Sequence, residues 1–365
     1  MTNIPLVDLA AQHREVADDV AAGWSAVLDR TAFINGPQVA AFEREYADYL
    51  GVRYCVGVAS GTDAVELALR AAGVGPGAEC VLPANTFIAT AEAVVRAGGT
   101  PVLVDCELDT GLMDPAAVAA AVGPRTRAII PVHLYGQAAA VEAIRPLAGG
   151  ATIVEDAAQS QGARRHGVAA GSLGDVAATS FYPGKNLGAY GDAGAVMTDD
   201  EELAGNLRLL RDHGSPRRYE HSVLGFNSRL DTLQAVVLSA KLRRLDGWND
   251  DRRKAADRYH ELLAGLPVQR PGVAQGNEPV WHLYPVLVAD RDRVLAALHQ
   301  AGIGAGIHYP TPIHLTGAFA GLGLAEGSFP NAERRAREQL SLPIFPEITA
   351  TQQERVVEVL AEAVR

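Results

Sequence analysis

Ser180-Phe181-Tyr182-Pro183-Gly184-Lys185-Asn186, lying downstream of Glu155-Asp156-Ala157-Ala158-Gln159, sets how the rest of the chain reads. A lysine with a hydroxyl five residues back and a strand-ending aspartate well upstream has the parts a Schiff-base site needs. The amine bonds a carbonyl cofactor, the hydroxyl holds a phosphate, and the aspartate keeps a pyridine ring protonated. A free lysine has a pKa of about 10.4 and is a poor nucleophile at neutral pH, so the site must also desolvate it. A solvated lysine on a loop, the usual fate of lysines, is the alternative reading. The turn-rich Pro183-Gly184 and Asn186-Leu187-Gly188 suit a close backbone approach without deciding between the two.

Working outward, Asp156 ends the run Thr152-Ile153-Val154-Glu155, which reads as a buried strand. A carboxylate there is costly unless it is paired. A pyridinium N–H would pair it, and so would backbone N–H groups. Gln159, three residues on, would reach a ring hydroxyl from the same loop. Ser60-Gly61-Thr62 follows a strand and opens a helix. Its free N–H groups and positive dipole end favour a phosphate, although an ordinary N-cap has the same sequence. Phe87 begins a helix after a strand and would either stack on a cofactor ring or pack into the core.

Other motifs carry less. Gly184-Lys185 lacks the earlier glycine and the following Ser or Thr of a nucleotide-binding phosphate loop. The locally basic run Arg211 to His221 is broken by Gly and Pro into a loop that would either bind a diphosphate or remain a solvated face. His308-Tyr309 follows a glycine-rich stretch and reads as a strand with a hydrogen-bonded histidine. No His/Cys/Glu cluster has metal-ligand spacing, and no hydrolase elbow is present.

With 365 residues the chain is long for one domain, so one large and one smaller domain are expected. The formal net charge of -11 argues against nucleic acid or an anionic membrane as partner. Cys55, Cys80 and Cys106 are odd in number and form no CxxC pair, which fits a reducing compartment. Met1 to Ala10 lacks a basic region followed by an apolar run, and no 18-residue apolar stretch appears. A cytoplasmic protein is expected.

From about residue 52 the chain alternates short β-rich runs with helical ones. Val52 to Ala59, Cys80 to Leu82, Pro101 to Asp105, Ala128 to His133 and Thr152 to Asp156 read as strands. Thr62 to Ala72 reads as a helix, and Asp114-Pro115 as the start of another. That alternation predicts an α/β fold with a largely parallel sheet, whose ligands bind at the carboxyl ends of the strands. Arg229 to Leu245 and Trp248 to Leu263 read as amphipathic helices. The texture changes near residue 246, so the predicted units are residues 1–245 and 246–365.

Together these segments resemble the vitamin B6-dependent sugar aminotransferases of the DegT/DnrJ/EryC1/StrS type. The resemblance runs from Pro5-Leu6-Val7-Asp8-Leu9 to the C-terminal helix. It is carried by Ser60 to Ala64, Glu155 to Gln159, Ser180 to Lys185, and Gly225-Phe226-Asn227-Ser228-Arg229-Leu230-Asp231. It implies the aspartate-aminotransferase-like fold (fold type I), with a mostly parallel seven-stranded sheet in the large domain and a smaller C-terminal α+β domain. It implies pyridoxal 5′-phosphate as cofactor, alternating with pyridoxamine 5′-phosphate. Lys185 would be the Schiff-base lysine, Asp156 the partner of the pyridine nitrogen and Gln159 a contact of the ring hydroxyl. Gly61, Thr62 and Ser180 would hold the phosphate and Phe87 would stack on the ring. Asn227 would reach the other subunit's cofactor across a homodimer interface.

Within the family, Lys185-Asn186-Leu187-Gly188-Ala189-Tyr190-Gly191-Asp192-Ala193-Gly194 is similar to the branch that acts at carbon 3 of nucleotide-linked keto sugars. There Tyr182, His308 and Tyr309 would surround the sugar and Arg218 would meet the diphosphate. Arg218 and Tyr190 depart from that branch, which more often has lysine and leucine at these places. The implied reaction converts a dTDP-linked 3-keto-6-deoxyhexose to its 3-amino sugar with L-glutamate as donor, as in antibiotic deoxysugar biosynthesis. The same machinery would serve a 4-keto-sugar or cyclitol aminotransferase, and a non-catalytic sensor of this fold is a third reading.

Overall fold

The computed structural model describes residues 3–365. Two helices, α1 (Leu9–Arg30) and α2 (Pro37–Leu50), precede an alternating series. That series runs β1 (Tyr54–Val58), α3 (Gly61–Ala71), β2 (Glu79–Pro83), α4 (Ile88–Arg96) and β3 (Thr100–Val104). It continues through α5 (Pro115–Ala121), β4 (Thr126–Ile129), the one-turn α6 (Val141–Ile144) and β5 (Thr152–Asp156). A short ribbon, β6 (Arg164–Arg165) and β7 (Val168–Ala169), leads to β8 (Val176–Ser180) and β9 (Gly194–Thr198). Next come α7 (Glu201–Arg211), α8 (Thr232–Leu242) and α9 (Leu245–Leu262). The remainder is β10 (Asn277–Glu278), β11 (Tyr284–Leu287), α10 (Arg291–Gln300), α11 (Pro330–Glu338), β12 (Gln339–Leu342) and α12 (Ala350–Ala363).

Local chemistry sets many of these boundaries. Asp8, Ser60, Asp114 and Asp200 each cap a helix by accepting a backbone N–H, and Thr349 with Gln352 forms a capping box on α12. Gly51 ends α2 in the left-handed conformation, where a side chain would be strained. The helix expected over Arg229 to Leu245 is shorter than its sequence suggests. Asp231 is extended, its backbone bridges Ile34, and Arg229 turns to pair with Asp212, so the helix starts only at Thr232. It stops at Leu242, and α9 begins at Leu245 rather than Trp248.

Seven strands form the main sheet in the order β1-β9-β8-β5-β4-β2-β3. β9 runs antiparallel to both neighbours, and every other pairing is parallel. Alternate residues feed opposite faces, as the strand period requires. Val56, Leu82, Val154, Ala178 and Val196 pack with α3, α4 and α7 in one apolar cluster. Cys55, Ala177 and Met197 face the other way, against α2 and α8. Val81, Ile129 and Ile153 pack with α5 and α6 on that same side. Covering both faces is what a largely parallel sheet needs, and it explains the near-continuous apolar runs of the strands.

Residues of α9, β11, α10, β12 and α12 share a separate apolar cluster that includes Tyr259, Tyr284, Leu340 and Leu360. On that basis we propose the division near residue 245. Ile4 belongs to the same cluster and bridges Ile303, so the start of the described chain straps onto the C-terminal unit. Among the described residues no helix is long and apolar enough to cross a membrane.

Candidate active site

The carboxyl ends of β1, β2, β5 and β8 open onto one cavity of about 450 Å³. Ten of the twelve residues singled out in the sequence line it: Gly61, Thr62, Phe87, Asp156, Gln159, Ser180, Tyr182, Lys185, His308 and Tyr309. Asn227 lies instead in a neighbouring cleft with Ile34, Arg229 and Gln234, and Asp192 borders both spaces. Arg218 lines neither space; its guanidinium sits over the ring of Tyr219 in the loop after α7.

Lysine chemistry here has few candidates, since the sequence holds only Lys185, Lys241 and Lys254. Lys254 pairs with Asp251 on the surface. Lys241 is buried, donates to the Gly188 carbonyl at 2.7 Å and lies over the Tyr190 ring, away from the cavity. Only Lys185 lines the cavity, and among the described residues its amine has no hydrogen-bond or ion-pair partner. Burial lowers its pKa to about 8, against the opposing pull of the Asp156 charge. Lys241 is also lowered to about 8 by burial, so position rather than acidity distinguishes the two.

The loop that carries Lys185 is fixed on both flanks. The Lys185 N–H donates to Tyr182 O, and Ala189 N–H to Phe181 O, each at 2.8 Å. Gly188 passes against the Pro183 carbonyl so closely that a Cβ could not fit. Asn186 is buried and its Nδ2 donates to Asn249 Oδ1 and to Val280 O, both at 2.9 Å. Its Oδ1 is thereby left as an acceptor for His282 Nδ1 at 3.1 Å, which places the proton of that ring on Nδ1.

Asp156 is buried at the end of β5. Thr90 Oγ1 donates to its Oδ2 at 2.8 Å, and the Ala158 N–H donates to its Oδ1 at 3.2 Å. Gln159 accepts from the Tyr135 N–H and donates to the Tyr309 hydroxyl at 3.1 Å. Tyr309 in turn rests against Phe87, ring centroids 5.2 Å apart, while Phe87 stays 49 % exposed. Burial and the Lys185 charge hold His308 down at about 4 and His282 well below its usual value, so both rings are neutral.

The opposite wall is built for an anion. Ser60 caps α3 by accepting from Asp63 N–H at 3.1 Å, which leaves the N–H groups of Gly61 and Thr62 without an acceptor among the described residues. Ser180 Oγ stands beside Gly61, where any Cβ would collide with it. A phosphate at the positive end of α3, a free amine, a buried carboxylate and a half-exposed aromatic face are the contacts a flat, phosphorylated pyridine aldehyde requires. The residues therefore fit pyridoxal phosphate.

Thr90 and His282 also line the cavity, as do Asp192, Leu6 and Val7, which lie in the quoted segments but had been given no role there. Thr90 carried a usable signal, since it lies in the first turn of the helix that Phe87 precedes as N-cap. The other four reach the site only through tertiary packing.

Comparison with known proteins agrees with this geometry. Residues 15–361 match the DegT/DnrJ/EryC1/StrS aminotransferase family. A dTDP-3-amino-3,4,6-trideoxy-alpha-D-glucose transaminase of Streptomyces venezuelae is 47 % identical over 362 residues, covering 98 % of this chain and 96 % of the relative. A UDP-N-acetyl-3-dehydro-alpha-D-glucosamine 3-aminotransferase of Acidithiobacillus ferrooxidans is 47 % identical over 361 residues, covering 98 % and 97 %. The crystal structure of S. venezuelae DesV matches with a TM-score of 0.98 at 47 % identity over 100 % of both chains. That of NtdA from Bacillus subtilis with bound cofactor PMP matches with a TM-score of 0.91 at 32 % identity, over 100 % of this chain and 86 % of that one. The chain belongs to the DegT/DnrJ/EryC1/StrS aminotransferase family and is one of its pyridoxal phosphate-dependent enzymes.

Proposed function

We propose that this aminotransferase moves the amino group of L-glutamate to carbon 3 of a dTDP-linked 3-keto-6-deoxyhexose, giving the dTDP-3-amino sugar. It would do so as a cytoplasmic homodimer with shared sites, in deoxysugar assembly of the kind antibiotics use. The observation that carries this reading is the placement of Lys185. It is the one cavity lysine, with the Asp156 charge acting on it from one side and the anion cradle of α3 facing the same space.

Bound there, pyridoxal phosphate supplies a carbonyl that takes up the donor's nitrogen and a ring that draws electrons from the adjacent carbon. Gly61, Thr62 and Ser180 hold its phosphate, Asp156 keeps the ring nitrogen protonated, Gln159 meets the ring hydroxyl and Phe87 covers one face. Lys185 Nζ takes the α-proton of glutamate and later delivers a proton to carbon 3 of the sugar. Burial lowers the pKa of this amine in the cofactor-free site, a direction that suits a group which must both accept and release a proton. Tyr182, His308 and Tyr309 bind the sugar, and neutral His308 contacts it without adding charge. Asn227 and Arg218, outside this cavity, serve the partner's site and the diphosphate.

A UDP-linked 3-keto sugar is the second reading, favoured by the Acidithiobacillus relative at the same identity. The test is to incubate the enzyme and glutamate with paired 3-keto and 4-keto sugars on dTDP and on UDP, and to locate the new amine by NMR. Amination of the dTDP-3-keto sugar at carbon 3 is expected. Amination only at carbon 4 would overturn the regiochemistry, and turnover confined to UDP sugars would overturn the nucleotide.

A further inference from the structure

Behind His308 and Tyr309 lies a second, small space of about 10 Å³, room for roughly one water molecule, with the exposed Thr311 at its edge. Asn85, Arg335 and Gln339 line it, with relative exposures of only 6 %, 3 % and 1 %. Each is oriented by a bond made through its other polar atoms. Asn85 Nδ2 donates to the Gly111 carbonyl at 2.8 Å. Arg335 Nη1 donates to the Leu108 carbonyl at 2.7 Å, and the guanidinium rests 5.2 Å from the centre of the Tyr135 ring. Gln339 Nε2 donates to the Tyr135 hydroxyl at 3.1 Å and to the His308 carbonyl. What remains is Asn85 Oδ1, Gln339 Oε1 and Arg335 Nε, three buried atoms without a partner among the described residues. Buried polar atoms are nearly always bonded, and three left over around one small space point to an occupant.

The donor and acceptor count selects that occupant. An anion drawn to Arg335 would face two oxygen lone pairs, and a cation drawn to the oxygens would face a guanidinium. One water donates to both oxygens and accepts from the Arg335 N–H, satisfying all three. We propose that this space is a built water site whose water locks the rear wall of the cofactor cavity. Gln339 and Tyr135 both bond the His308 carbonyl, and the next residue, Tyr309, holds Gln159 and backs Phe87. Asn85, Arg335 and Gln339 are thus positioning residues for Tyr309, whatever sugar the enzyme takes.

The direct test is a crystal structure of the wild-type holoenzyme, grown with bromide, at a resolution that shows ordered waters. A single water peak within hydrogen-bonding distance of all three atoms, without anomalous signal, is expected. An anomalous peak there, or a closed space with the three groups bonded to one another, overturns the proposal. Ala336 lines the same space, and Ala336→Val fills it without altering a polar group. That variant should bind pyridoxal phosphate about tenfold more weakly, the worth of roughly one net hydrogen bond. It should also lose part of the circular dichroism of the bound cofactor while its far-ultraviolet spectrum stays unchanged. A folded Ala336→Val protein with wild-type affinity and wild-type cofactor dichroism counts equally against it, and the crystal decides if the variant does not fold.

Discussion

Gly61 and Ser180 stand so close that a methyl group on Gly61 would lie within 3.0 Å of the Ser180 side chain. The contact joins the first turn of α3 to the end of β8, and the two residues share the cavity wall facing Lys185. Gly61→Ala must push these elements apart, and overpacking of this kind costs about 1–3 kcal/mol. Part of that cost falls on the phosphate cradle. The expected outcome is a protein that folds but binds pyridoxal phosphate at least tenfold more weakly, read by titrating the cofactor-free protein. Unchanged affinity would mean that the phosphate does not sit at this helix end.

Lys185 and Asp156 make a pH prediction for the cofactor-free protein. Burial lowers the Lys185 pKa to about 8 and the Asp156 charge opposes the lowering. Schiff-base formation with added pyridoxal phosphate needs the neutral amine, so its rate should rise with pH and level off above about 8. Asp156→Asn removes the opposing charge and should shift the midpoint below 8. In the wild-type cofactor-free protein the folded state binds fewer protons than the unfolded one between about 8 and 10.5. Stability should therefore rise with pH across that window, with Lys241 adding in the same direction. A rate midpoint near the ordinary lysine value would contradict the burial of Lys185.

Asn227 lies in a cleft beside the cavity rather than in it, which fits a residue that serves a second subunit. Lys185→Ala and Asn227→Ala proteins, each inactive or nearly so, should complement when their subunits are exchanged. In a mixed dimer one site then has both residues intact, so random exchange restores about a quarter of wild-type activity in a two-fold symmetric dimer. If Asn227 acts within its own subunit, both sites of the mixed dimer are broken and nothing is restored.

Much of this site could be read from the chain because its main parts sit at the ends of local elements. Asp156 closes an apolar strand, Ser60-Gly61-Thr62 links a strand to a helix, and Ser180 ends a strand five residues before Lys185. Each has a signature in its immediate neighbours. Asp231 shows the limit: its helical surroundings suggested a helix from Arg229, but pairing with Ile34, almost two hundred residues away, keeps it extended. His282 shows it again. Its proximity to Lys185 depends on Asn186 and on the packing of the C-terminal unit, and no local pattern encodes either. Of the two residues outside the cavity, Asn227 was pointed to only by resemblance, whereas Arg218 also lay in the basic run Arg211 to His221.

Lys185 is proposed to bond the cofactor, and the chain offers only two other lysines as alternatives. Reduction of the wild-type holoenzyme with borohydride, followed by proteolysis and mass spectrometry, reads the attachment point directly. The reduced phosphopyridoxyl group is expected on the peptide carrying Lys185 and on no other. Its appearance on Lys241 or Lys254, with Lys185 unmodified, would contradict that assignment.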